Sequence, residues 1–159
     1  MKSTDRQEMP ASLSPHAVAQ LVAGYSEESV FYQMLYGLTS RQRRCLSDGG
    51  DISEFIELIE QKDALLGQIE LLEAELAPLR ANWMNASCTE REKIADKLNP
   101  VFDEIIGTIQ KTVSLEKDNE RLLDSHRRDL SKALSDASRW RCGTTSPAAV
   151  HADPIAVMA

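Results

Sequence analysis

The chain has 159 residues, of which 42% are hydrophobic, 27% charged and only 5% aromatic, and its formal net charge is −7. This length predicts a single domain. The acidic balance argues against a nucleic-acid partner, because phosphate binding needs a basic face. No apolar run approaches the roughly 18 residues of a membrane span, so we predict no membrane insertion.

The compartment follows from the N-terminus and the cysteines. The first 20 residues lack the apolar core of a secretory signal. Cys45, Cys88 and Cys142 are an odd set without CxxC spacing. They indicate reduced thiols rather than a disulfide or metal framework. The sequence therefore predicts a cytoplasmic protein.

The first predicted helix begins at Ser14-Pro15, a serine cap followed by proline at the first helical position. Apolar residues at intervals of three and four carry it to Ser47. Gly24 lies inside this run, so the helix is either continuous or restarts at Ser26. We favour one long helix with a possible break near Gly24.

Three arginines, Arg41, Arg43 and Arg44, lie in the last turns of this helix. Positive charge there complements the negative end of the helix dipole. The same cluster could also form a docking patch for an acidic partner. The first interpretation is favoured, and the second stays open.

The second predicted helix begins after Asp51, which caps it, and ends at Pro78. The SDGGD turn before it is short, so this helix should fold back on the first. Its apolar residues recur at helical spacing and predict a buried stripe: Ile52, Phe55, Ile56, Ile59, Leu66, Ile69, Leu72 and Leu76.

The stretch after Pro78 has no clear period and is predicted to be a loop. We expect Trp83 and Met84 to pack onto the end of the bundle. An exposed Trp83 that anchors a partner is the alternative.

The third predicted helix begins at a capping box, Thr89 with Glu92 three residues later. Pro100 interrupts it and predicts a kink or a fresh start. A stripe of apolar residues then continues for about 40 residues, interrupted by Glu116 and Asn119 at positions expected to face the core. Polar residues in a helical seam usually set its register.

Together these segments predict an all-α antiparallel bundle of three long, coiled-coil-like helices near residues 15–47, 52–77 and 90–139. The bundle domain spans 14–140, between a disordered N-terminus (1–13) and a flexible C-terminal tail (141–159). The residues expected in the buried seam are Phe55, Ile59, Leu66, Ile69, Phe102, Ile105, Ile109 and Val113.

Catalytic and cofactor motifs are missing. No histidine follows a glutamate at the spacing of di-iron bundles, and Gly49-Gly50 lacks the remainder of a phosphate loop. Ser125 and His126 are adjacent on a helix, about 100° apart, so they cannot form a nucleophile–base pair by themselves. We therefore predict no enzyme activity, no metal site and no cofactor.

Two segments resemble FlgN-type flagellar export chaperones. LTSRQRRCLSDGGDISEFIELIEQKDALLGQIELLEAEL has that family's order of helix end, Gly-Asp turn and leucine-rich helix with central Lys62. SLEKDNERLLDSHRRDLSKAL resembles the family's final helix, with Asn119 before paired leucines. The resemblance covers roughly residues 17–138. Gly37, Pro100 and the proline-containing tail depart from the family pattern.

The resemblance implies a cytoplasmic type III export chaperone. Such a protein binds hook-associated (hook–filament junction) subunits before secretion and delivers them to the export apparatus. A FliT-like chaperone of the filament cap is an alternative of the same class. A structural coiled-coil scaffold that self-associates into a homo-oligomer is an alternative of another class.

The client surface is predicted at the C-terminal end of the third helix and in the tail after it. That helix outruns the other two, so part of its apolar stripe lacks an internal partner. An amphipathic helix of a client could cover it. The alternative is a frayed end that folds back onto the bundle. The predicted partner-binding residues are Leu122, Leu123, Leu130, Leu134 and Trp140.

Overall fold

A computed structural model describes residues 12–143, and within this range the chain forms three helices and no strand. The helices are α1 (Pro15–Ser47), α2 (Ile52–Met84) and α3 (Cys88–Gly143), with 33, 33 and 56 residues. The predicted all-α class is confirmed. Most of the segments predicted to be disordered or flexible, residues 1–11 and 144–159, lie outside the described residues.

The chain divides into two units, residues 1–122 and 123–159, and α3 contributes residues to both. The first unit holds the helical bundle. The described residues of the second unit are the C-terminal part of α3. The predicted domain of residues 14–140 therefore spans both units.

Helix α1 begins as predicted and does not break. The Ser14 hydroxyl accepts a hydrogen bond from the Ala17 N–H at 3.1 Å, and Pro15 occupies the first helical position. Gly24 stays helical, and α2 approaches it closely: a Cβ built on Gly24 would lie 2.4 Å from a methyl carbon of Leu76. The glycine thus permits close packing of the two helices.

The turn between α1 and α2 closes through backbone hydrogen bonds. Gly49 adopts the left-handed conformation, with φ of 66°. The Gly50 N–H donates to the Cys45 carbonyl at 2.8 Å, the pattern of a glycine-terminated helix end. Asp51 then caps α2 by accepting from the Ser53 N–H at 3.1 Å. The predicted tight connection is confirmed.

Helix α2 does not end at Pro78 as predicted but continues to Met84. Proline in a helix interior costs about 3 kcal/mol, so packing on both sides must offset that cost. Leu76 is buried before it, and Trp83 after it stacks near Phe102 with ring centroids 6.4 Å apart. The predicted loop at residues 79–88 is thus mostly helix, and only residues 85–87 connect α2 to α3.

Helix α3 begins at Cys88, two residues before the predicted position. The cap is Ser87, whose hydroxyl accepts from the Glu90 N–H at 3.4 Å, rather than Thr89. The Glu90 carboxylate instead accepts from the Leu13 N–H at 2.9 Å. Leu13, expected in the disordered segment, is buried. Pro100 neither ends nor restarts the helix.

Contacts within the first unit fix the helix directions. Lys62 of α2 donates to Gln42 of α1, whereas Arg80 further along α2 donates to Tyr25 earlier in α1, so these helices are antiparallel. Helix α3 runs parallel to α1, because Leu13 meets the start of α3 and Thr39 meets Asn119, much later in α3. The predicted antiparallel order of consecutive helices is confirmed.

The predicted stripe of α2 is correct at its C-terminal end, where Ile69, Leu72 and Leu76 are buried. At its start it is wrong, because Ile52 and Ile56 are 73% and 50% exposed.

Between these ends the buried residues of α2 lie one position before the predicted ones. Leu58 and Leu65 are buried, whereas Ile59 and Leu66 are each 41% exposed. Val113 of α3, also predicted to be buried, is 47% exposed. Both members of the pairs 58–59 and 65–66 are apolar, so helical spacing fits either face and packing selects the first member. Among the other predicted core residues, Ile69 and Ile105 are buried, and Phe55, Phe102 and Ile109 are half-buried.

Glu116 and Asn119 face the bundle as predicted. Asn119 is buried, and its side-chain amide donates to the Thr39 carbonyl at 3.2 Å. Glu116 forms an ion pair with Lys62 and accepts a hydrogen bond from the Thr39 hydroxyl. One polar layer therefore joins all three helices at this level. Any slip of one helix would leave these groups unpaired, which favours a single register.

Candidate partner-binding site

The second unit presents a helical segment whose apolar residues are exposed. Every side chain described from Leu123 to Arg141 is exposed. The stretch contains no glycine or proline before Gly143, so local propensity favours a helix. Its backbone oxygens also accept side-chain hydrogen bonds, from Arg128 to Asp124 and from Ser138 to Leu134.

Three of the predicted site residues, Leu123, Leu130 and Leu134, lie on one face of this helix and form what we call the leucine stripe. Seven residues make slightly less than two turns and eleven slightly more than three, so the three side chains line up. Their exposed fractions are 41%, 63% and 62%. A row of large exposed apolar side chains is typical of a surface that contacts another helix.

The other two predicted residues lie apart from the stripe. Trp140 is 77% exposed and lies about 100° around the helix from it. Leu122 is half-buried and belongs to the first unit. The leucine stripe with neighbouring Trp140 is therefore the candidate site, and Leu122 is not part of this exposed surface.

The electrostatic character of this segment differs from that of the whole chain. Between residues 123 and 143 it carries five basic residues and three acidic ones, whereas the chain as a whole is −7. Arg127 lies within the stripe, between Leu123 and Leu130. The face that presents the leucines thus carries positive charge, which favours a partner with acidic residues beside its apolar ones.

Two further surfaces were considered from the sequence. In the arginine cluster, Arg43 pairs with Asp118 at 3.1 Å and Arg41 with Glu54 at 3.7 Å, so two of its three charges already have acidic neighbours. Trp83 is half-buried and its indole N–H donates to the Arg91 carbonyl at 3.2 Å. This agrees with the prediction that Trp83 packs onto the bundle end, although Met84 remains 58% exposed.

A buried glutamate in the first unit, Glu28, lies beside the partly exposed Glu73, and the sequence did not predict this pair. Glu28 is 4% exposed and shares a hydrogen bond with Glu73. The pKa of Glu28 is raised to about 7, chiefly by burial and also by the nearby Glu73 charge and hydrogen bond, while the charge of Arg80 partly opposes these effects. Arg80 holds Glu73 at 2.6 Å and donates to the Tyr25 hydroxyl at 3.3 Å. A glutamate on a long helix usually faces solvent, so the sequence offered no signal of this pair.

Residues 12–143 contain neither a cluster of metal-binding side chains nor a helix that could span a membrane. No group of three or more His, Cys, Asp or Glu side chains in this range could hold a metal ion. None of the three helices is apolar enough over a sufficient length to cross a membrane.

These observations define an all-α helical bundle protein with an exposed amphipathic helical segment. No family model, curated protein or solved structure matches the chain.

Proposed function

We propose that the protein is a cytoplasmic export chaperone that binds flagellar hook-associated subunits before their secretion, with the leucine stripe as its client surface. Two sequence segments that resemble FlgN-type chaperones support this proposal. The second of them, Ser114 to Leu134, contains all three leucines of the stripe.

The observation that carries the proposal is the exposure of the stripe. Fully burying one leucine yields about 1.5–3 kcal/mol. Because Leu130 and Leu134 are each more than 60% exposed, covering them would yield about 1–2 kcal/mol apiece. A dissociation constant of 1 μM corresponds to a binding free energy of about 8 kcal/mol. Covering both leucines would therefore supply a substantial fraction of the binding free energy of a micromolar complex.

The spacing favours a helical client. Leucines at i, i+7 and i+11 make one straight row, which complements the apolar face of an amphipathic helix. Aggregation-prone amphipathic segments of unassembled subunits have such a face, and a chaperone that covers it keeps them soluble. This mode of binding requires neither a nucleotide nor a metal.

The proposal can be tested by introducing aspartates on the face of the helix that carries the leucine stripe and, as a control, on another face of the same helix. Leu130→Asp with Leu134→Asp should weaken capture of a purified hook-associated subunit by about thirtyfold or more. The matched control is Ser131→Asp with Ser135→Asp, one residue further along, which adds the same two charges on another face of the helix. Its helix-propensity cost is smaller, because serine is already a weaker helix former than leucine, so circular dichroism must show equal helix content in the two variants. Affinity is measured by isothermal titration with the full chain, and circular dichroism checks that each variant is folded.

Full affinity in the leucine variant would place the client surface elsewhere. Binding of a filament-cap subunit in place of the hook-associated subunits would assign the protein to the FliT-like alternative. Failure to bind either class would reject the chaperone proposal.

A self-associating scaffold is the second candidate, and a separate observation favours it. Ile52, Ile56 and Ile59 lie along one side of α2 and are 73%, 50% and 41% exposed. Such a row can pair with its copy in a second chain. Sedimentation of the chain alone distinguishes the candidates: a stable dimer at micromolar concentration supports the scaffold, and a monomer supports the chaperone.

A further inference from the structure

An apolar groove lies between the first turns of α1 and the start of α3, entirely within the first unit. Its volume is about 580 Å³, within the range of roughly 300–1,000 Å³ typical of ligand pockets. The α1 side is lined by an apolar row at helical spacing, and the α3 side by Glu90, Lys93, Ile94 and Lys97. The α1 lining residues are Pro15, Val18, Ala19, Val22 and Ala23.

The α1 side of this groove lacks the charges that a solvent-facing helix normally carries. Between Ser12 and Ser26 the chain has no Asp, Glu, Lys or Arg, although 27% of the whole chain is charged. Ala19 and Ala23 are nevertheless exposed. A helix face that is exposed, uncharged and small in its side chains is suited to close packing against another helix.

The α3 side of the groove supplies positive charge. Lys93 and Lys97 are exposed and lie one turn apart. Neither forms an ion pair with another residue of the described range. The carboxylate of Glu90 is already held by the Leu13 N–H at 2.9 Å and the Ser12 hydroxyl at 3.3 Å. The two lysines therefore dominate the charge available to a ligand.

We propose that this groove is a second docking site, which binds an acidic amphipathic helix of a partner protein. The ligand helix would place two turns of small or medium apolar side chains against the α1 row. It would place two carboxylates, one turn apart, beside Lys93 and Lys97. This site shares no residue with the leucine stripe and does not depend on the proposed client.

The overall acidity of the chain does not prevent such a contact. Charges are screened over about 8 Å at physiological ionic strength, so distant carboxylates contribute little. The local lysines act at contact distance. The negative net charge of the chain should make binding selective, because an acidic ligand is attracted only at the groove, where Lys93 and Lys97 contact it.

The test uses two labelled helical peptides with the same apolar face. One carries two glutamates, one turn apart, at the edge of that face, and the other carries two lysines at those positions. Fluorescence anisotropy with the full chain measures affinity, and amide chemical shifts locate the peptide. The acidic peptide should bind at the groove, and the basic peptide at least about tenfold more weakly.

Charge reversal then identifies the residues responsible. Lys93→Glu with Lys97→Glu should weaken the acidic peptide about tenfold or more and strengthen the basic one. The matched control is Lys111→Glu with Lys117→Glu, two exposed lysines of α3 outside the groove, which should change affinity less than about twofold. Ala19→Glu with Ala23→Glu should abolish binding of the acidic peptide, and circular dichroism confirms that each variant is folded.

Several outcomes would overturn the proposal. Equal affinity for both peptides would show that the lysines do not select charge. Equal losses in the lysine variant and its control would show that the groove is not the site. If deletion of residues 2–11 strengthens binding of both peptides at the groove, the chain's own N-terminal segment is the occupant that they displace. If Ala19→Glu with Ala23→Glu dissolves a dimer of the chain, the occupant is a second copy.

Discussion

Replacing Glu28 by glutamine should stabilise the protein at pH 8 and have little effect at pH 5. The carboxyl is 4% exposed, and one of its oxygens, Oε2, has no hydrogen-bond partner within the described residues. A charge at this position loses most of its hydration. Glutamine keeps the shape, and its amide can still donate to Glu73, as the protonated carboxyl does.

The magnitude follows from the pKa of Glu28, which rises from 4.5 to about 7 in the folded chain. One pKa unit corresponds to about 1.4 kcal/mol, so ionising Glu28 costs the folded state roughly 3 kcal/mol at most. The folded chain holds this proton between pH 4.5 and 7 after the unfolded chain has released it. The free energy of unfolding therefore falls as pH rises through this window and levels off above it.

Urea unfolding followed by circular dichroism measures the effect across pH 5 to 8. Glu28→Gln should exceed wild type by about 2–3 kcal/mol at pH 8 and by about 1 kcal/mol or less at pH 5. Glu27→Gln, an exposed neighbour, is the control and should follow the wild-type pH dependence. Parallel curves for Glu28→Gln and wild type would refute the reasoning, because they would show that Glu28 ionises as an exposed glutamate does.

Four further substitutions, two in α2 and two in α1, test the packing of these helices. Ile69→Ala should lower the free energy of unfolding by about 2–5 kcal/mol, because Ile69 is buried. Leu66→Ala, at a position 41% exposed, should lower it by only about 1 kcal/mol. Equal losses in denaturant titrations would show that Leu66 is buried as well. Gly24→Ala should cost about 1–3 kcal/mol, since its methyl group would meet Leu76 at 2.4 Å. Gly37→Ala is the control, because no atom lies within 4 Å of a Cβ at that position. It should stabilise the folded chain by up to about 1 kcal/mol. If both alanine variants raised the melting temperature, the close approach of Leu76 to Gly24 would be contradicted.

The ends and lengths of the helices were predictable to different degrees. Ser14 with Pro15 marked the start of α1 correctly, because a cap acts within one turn and needs no tertiary contact. Pro78 marked the end of α2 wrongly, because the cost of an interior proline is local while the packing of Leu76 and Trp83 that offsets it is not. The predicted cap of α3, Thr89, was two residues late, because Ser87 accepts from the Glu90 N–H and caps the helix. The contact of the Glu90 carboxylate with Leu13 is not revealed by any local pattern.

The candidate site divides in the same way. Leu123, Leu130 and Leu134 share a face of one helix, and helical spacing alone places them together. The groove could have been noticed in part, because the absence of charge from Ser12 to Ser26 is visible in the sequence. The position of Lys93 and Lys97 beside this uncharged face could not be predicted, because it depends on how α1 and α3 pack.

By itself, then, the sequence determined the all-α class, the three helices and the turn at Gly49, because helical periodicity, capping and backbone freedom act over a few residues. Only the tertiary structure decided which member of the pair Leu65 and Leu66 is buried and that Glu28 lies in the interior. The side chains of neighbouring residues on a helix point only 100° apart, so a local pattern identifies the buried side of the helix but not the individual buried residues. Which residues are buried depends on the side chains of the other helices, which come from distant parts of the chain and pack closely against this side.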